Sequence, residues 1–205
     1  AIVLLSKWRA LAVESRFWFV NIVDNMVDVI VGLSYVALLY ATNGELVPQL
    51  LLTALYTGWL LLIKPRSKRS FVTLQAGAAI FFGVTALCTV SYSWDPFFFV
   101  LLMWLIGYSA SKHILGSYDE PLATIYSLVA GLAFAEIGWA AYHWLFAYAI
   151  PGMGGIKVPQ LAIVVTLLSF VTERIYASYH KHGAARSGDI ILPIALTIAV
   201  LVTLF

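Results

Sequence analysis

The chain has 205 residues, of which 62% are hydrophobic and 11% charged, with a formal net charge of +2; soluble domains carry about 25% charged residues. Its 12 Lys and Arg and 10 Asp and Glu side chains cannot clothe the surface of a water-soluble fold of this length. The composition excludes both disorder and a soluble domain. The slight basic excess does not read as a nucleic-acid surface, because the basic residues sit in short clusters between apolar runs.

A hydrocarbon layer of about 30 Å takes roughly 20 residues of helix, with every backbone polar group satisfied inside the segment. Seven apolar runs meet that need, at residues 17–41, 47–63, 71–90, 96–111, 122–150, 159–179 and 190–205. They predict an all-α bundle of seven transmembrane helices, one domain over 1–205, and their continuity excludes the alternating strands of a membrane barrel. Pro48, Pro96, Pro121, Pro159 and Pro193 fall at or near span starts, and Pro65 and Pro151 just past span ends, where proline costs a helix least. Lys7, Arg9, Arg16, Lys64, Arg66, Lys68, Arg69, Lys112, Arg174, Lys181 and Arg186 all fall on one side of an alternating bundle, with Lys157 alone on the other. Cytoplasmic loops retain Lys and Arg, so the N-terminus is expected inside and the C-terminus outside, in the cell membrane. The single cysteine, Cys88, lies in an apolar run and reads as a small packing residue.

In span one, Asn21, Asp24, Asn25 and Asp28 fall within about 100° of one another on a helical projection, and Asp28 is expected to enter the hydrocarbon. Span three places Gln75 near its inner end and Ala79 and Gly83 in a small-residue pair. Span five has Glu136 at its centre with Trp139 and His143 on the same side, and Thr124, Ser127, Gly131 and Gly138 on the opposite side, which suits close helix contact. Span six carries Thr166, Ser169, Glu173, Tyr176 and His180 down one face, with Arg174 off it near the inner end. A charge at the bilayer centre costs about 2.5 to 3.5 kcal/mol on insertion scales, so each of these asks for a reason.

If spans one, five and six pack together, Asp24, Asp28, Glu136, His143 and Glu173 form a ladder across the bilayer. It reads as a path for a proton, a cation or a small solute. Asn21, Asn25, Gln75 and Arg174 read as polar contacts between helices, with Arg174 paired to Glu173. Several other chemistries fall away. No lysine lies inside a predicted span to form a retinal Schiff base. His143 and Cys88 are too few intramembrane ligands for haem or zinc, and Ser109 and His143 lie about 20 Å apart in depth, too far for a dyad. No cofactor is assigned by these residues.

Val47-Pro48-Gln49-Leu50 opens span two and Val158-Pro159-Gln160-Leu161 opens span six, both running inward. The Pro-Gln pairs resemble the motif of the PQ-loop transporters, seven-helix proteins, although there the prolines kink a helix rather than start it. The stretch from Trp104 to His113, continued through Ser117 to Pro121 and Glu136 to Trp139, and joined by Glu173 and Arg174, is similar to small multi-pass proteins of uncharacterised bacterial families. That resemblance implies a bacterial plasma membrane. The leading functional expectation is transport or conduction. The alternative is a non-catalytic scaffold or complex subunit whose polar faces bind other helices, as a homo-oligomer or with another membrane protein. A third is a lipid-modifying enzyme using His113, Asp119, Glu120 and Glu173 at the inner face.

Overall fold

The computed structural model describes residues 22–144, 146–151 and 156–204. Among them lie seven α-helices: α1 Met26–Ala41, α2 Leu46–Gly58, α3 Arg69–Val90, α4 Pro96–Gly116, α5 Ala123–Tyr142, α6 Gln160–His182 and α7 Ser187–Leu204. A π-helical turn, Trp59–Ile63, extends α2 to the same end. Six of these helices are long and apolar enough to cross a membrane, and α1 is a shorter apolar helix of 16 residues. The architecture is therefore the helical, multi-pass type that the composition requires.

Local sequence explains the boundaries. Asp95 accepts the backbone N–H of Phe97 at 2.8 Å and Pro96 follows at the first helical position, so α4 begins with a side-chain cap and a residue that has no N–H to satisfy. Gly183 closes α6 at φ +71°, a conformation cheap only for glycine, and its N–H reaches the carbonyl of Tyr179. Between α1 and α2 the chain reverses through Asn43 and Gly44, both at positive φ.

Three boundaries differ from expectation. Span five was expected to reach residue 150, but α5 ends at Tyr142, and Ala147–Ala149 pairs antiparallel with Lys157–Pro159 as β1 and β2. A 29-residue helix would be about 44 Å long, well beyond the hydrocarbon layer, so the surplus apolar chain forms a hairpin instead. The fourth helix runs five residues past its expected end and takes in Lys112 and His113, with the Lys112 ammonium over the Tyr108 ring. The last helix starts at Ser187, which places Pro193 inside it. Residues 17–21, and Asn21 with them, lie outside the described residues.

The bundle is built around α3, whose most apolar stretch is 56% buried against 6% for α7. Helix α3 packs on α1, α4 and α6, while α5 leans almost wholly on α4 and α7 on α6. Phe99, Met103, Ile80, Val84 and Val165 are fully buried where these helices meet. The expected grouping of spans one, five and six does not occur, because α3 and α4 occupy the space between them. Several helix hydroxyls are satisfied locally: Ser34, Thr85, Ser127 and Thr166 each donate to the carbonyl four residues earlier, whereas the buried hydroxyls of Ser109 and Thr197 have no partner among the described residues.

The small residues of α5 act as read from the sequence. Gly131 and Gly138 face α4 so closely that a Cβ on either would meet Trp104 at 2.9 Å or Met103 at 2.8 Å. Gly107 on α4 answers them, since a Cβ there would lie 2.5 Å from Phe134.

Candidate functional site

Asp28, Gln75 and Glu173 lie at one end of the bundle, where the Lys and Arg clusters lie. Asp28, in the first turn of α1, receives the Lys64 ammonium on Oδ2 at 2.9 Å and the Trp59 indole N–H on Oδ1 at 3.4 Å. The π turn makes this possible. In an α-helix residues five apart stand about 140° round the axis, whereas an i to i+5 turn brings them closer to one side. The Lys64 N–H to Trp59 carbonyl bond, 2.9 Å long, closes that turn. Asp28 was expected to enter the hydrocarbon; its partners place it level with the α2–α3 connection, at the basic end.

Next to it, the buried Gln75 donates through Nε2 to the carbonyls of Ile63 and Arg66, at 2.9 and 3.0 Å. Its Oε1 pairs with Nε2 of His113 at 2.8 Å. This side chain ties the end of α2 to α3 and α4 and supplies donors to carbonyls where α2 has run out of N–H groups.

The centre of the cluster is Glu173 on α6, only 5% exposed. The Tyr118 hydroxyl, from the α4–α5 connection, donates to Oε1 at 3.0 Å, and Arg174 Nε donates to Oε2 at 3.0 Å. Arg69, at the start of α3, lies with its guanidinium 4.5 Å from the Tyr118 ring centre and donates to the Ser117 carbonyl. Tyr176 donates to Glu120 and stands edge-on to Tyr118, and His180, beside Tyr176, also packs against the Tyr118 ring. The result is a clasp: one carboxylate with both oxygens engaged ties α6 to the α4–α5 connection, and Arg69 ties α3 to that same connection. Beyond it, Asp189 of α7 accepts from Ser178 at 2.8 Å and lies 3.5 Å from His182.

Desolvation, and then the neighbouring Glu173 charge that the hydroxyl bonds, push the Tyr118 phenol up from 10 to about 12. A raised folded-state value means the neutral phenol is the form that folding favours. Its contribution is complete below pH 10 and is lost as pH rises through about 12. Melting temperatures measured between pH 9 and pH 12 are expected to fall more steeply for the natural chain than for Tyr118→Phe; identical slopes would refute this.

The other expected site residues lie elsewhere. Glu136 is exposed on the outward face of α5, about 5 Å from that helix's midpoint, and makes no hydrogen bond or ion pair among the described residues. Trp139 shares this face, and His143 is the exposed C-cap residue of α5 rather than a member of its helical face, edge-on to the Trp139 ring. Asp24 is exposed just before α1, and Asn25 is the exposed N-cap residue of α1 without a side-chain cap bond. Ser109 lies near the basic end of α4 and His143 at the far end of α5.

The structure thus brings Glu173 to Arg174 and Asp28 to Lys64, and it brings neither pair to Glu136 or His143. Sequence reading missed Tyr118, Arg69, Lys64 and Trp59 as partners. The only available signal was position: a tyrosine in the short connection after span four must sit beside the inward end of some other helix. The two Pro-Gln pairs are at helix starts at the opposite end, where Gln49 donates to Thr42 at the end of α1 and Gln160 donates to the Leu204 carbonyl at the end of α7. No family of proteins, no curated protein and no solved structure matches the chain.

Proposed function

We propose that the chain is a seven-span membrane protein that serves as a non-catalytic scaffold or subunit of a membrane complex. In this reading α1 is the seventh span, the basic end faces the cytoplasm with the N-terminus, and the C-terminus is outside. The clustering of Lys64, Arg66, Lys68, Arg69, Lys112, Arg174, Lys181 and Arg186 at one end supports that orientation. A bacterial plasma membrane is the location the resemblance implies.

The observation that carries the reading is where the acidic groups lie. A conduit needs its carboxyls along one hydrated line; here Asp28 and Glu173 are engaged by Lys64, Trp59, Tyr118 and Arg174 at helix ends, and Glu136 stands on the outer surface. Such pairs hold helices in one arrangement. The chain reconstituted in liposomes is expected to pass protons and monovalent cations no faster than empty vesicles. Asp28→Asn and Glu173→Gln are expected to lower its melting temperature. Flux in the natural chain that Asp28→Asn or Glu136→Gln abolishes at unchanged melting temperature would restore the transport reading instead.

A further inference from the structure

The outward face of α5 carries two polar groups that the described fold leaves without partners. Among the described residues the Glu136 carboxyl has no donor and the Trp139 indole N–H has no acceptor, and the Trp139 ring stands edge-on to His143. Trp139 is 54% exposed. Side chains on a helix tilt toward its N-terminus, so the Trp139 ring, three residues further along, leans back toward the depth of Glu136. The same stripe holds Val129, Ala133 and Ala140 at spacings of four, seven and eleven residues, all exposed. Two alanines flanking the carboxyl let another backbone come close. The inward face of α5, by contrast, is already filled by α4.

We propose that this face of α5 binds the same face of a second copy, about a two-fold axis along the membrane normal, with each Glu136 accepting the indole N–H of Trp139 of the partner subunit. The inference rests on the scaffold reading and names its partner. Identical chains insert in the same direction, so a two-fold axis along the normal sets equal residues at equal depth. The face is self-complementary only in that arrangement: one copy's acceptor meets the other copy's donor, and the reverse pair forms at once. A partner of different sequence would have to bring both a donor and an acceptor at this depth, whereas a second copy brings them by symmetry. Lipid chains bring neither.

The test uses the full chain with Cys88→Ser, in native membranes, with single cysteines at Ala133, Ala140 or, as a control, the exposed Leu168 of α6. A disulfide needs Cα atoms within about 7 Å, so it reads close approach directly. Oxidation is expected to link most chains into dimers from positions 133 and 140 and at least ten times fewer from 168. In the Ala140→Cys background, Glu136→Ala and Trp139→Phe are each expected to cut the linked fraction at least fivefold, while Glu136→Gln, which keeps a carbonyl acceptor, retains it. Equal linking at all three positions, or linking that Glu136→Ala leaves unchanged, overturns the proposal. If nothing links, the mass of the chain in nanodiscs separates the two failures. A stoichiometric complex with a different protein overturns the homodimer and keeps the subunit reading, and a lone single copy overturns both.

Discussion

Arg174→Ala is expected to lower stability by about 2 kcal/mol, and more than Glu173→Gln does, although Glu173 is the buried partner. The reason is what each change leaves behind. Glu173 has a side chain 3% exposed, so removing Arg174 strands a carboxylate oxygen that has no other donor among the described residues. Glu173→Gln keeps an oxygen for the Tyr118 hydroxyl and removes the charge, so little is stranded. Arg174 itself is 44% exposed, which keeps the effect below that of a fully buried pair. Tyr118→Phe deletes the other donor and is expected to cost a similar amount, and the double variant less than the sum, because both changes act on one carboxylate. Thermal unfolding in detergent, followed by the single variants and the double, reads this directly. Additive losses would show that the clasp does not act as a unit.

The second large effect is expected at the α4–α5 contact. Gly107→Leu is expected to separate the two helices and to prevent recovery of folded protein, and Gly138→Ala to cost about 1–3 kcal/mol. At Gly107 the added Cβ alone would meet Cγ of Phe134 at 2.5 Å, and the Phe134 Cβ lies only 2.7 Å away, so the ring cannot simply swing aside. At Gly138 the obstacle is the Met103 side chain, which is flexible, though buried. Gly77→Ala serves as the control, because nothing lies within 4 Å of a Cβ there, and its effect is expected to be neutral or slightly stabilising. Equal losses at positions 77 and 138 would contradict the close approach.

These two contacts mark different limits of what a sequence reveals. The glycines of α5 were legible, because Gly131 and Gly138 lie on the side opposite Glu136 and small residues in lipid have few other uses. The clasp was legible only in part. Glu173 beside Arg174 is a local pair, but Tyr118 is 55 residues from Glu173, and no periodicity links them. The Asp28 contact was not legible, because a helical projection gives the polar face but not the helix that meets it. Its partner Lys64 is offered by a π turn that hydropathy cannot foresee.

What the sequence determined by itself is the solvent and the kind of element. Long apolar runs with so few charges must bury their backbone hydrogen bonds in helices inside lipid, and that is a property of each segment alone. It also determined which faces of each helix are polar, since 100° per residue follows from the backbone. Only the tertiary structure decided which faces meet. In lipid no apolar surface is driven from water, so neighbours are chosen by shape and by a few polar pairs between distant residues. That choice put α3 at the centre, drew Asp28 and Glu173 to the basic end, and left Glu136 facing outward.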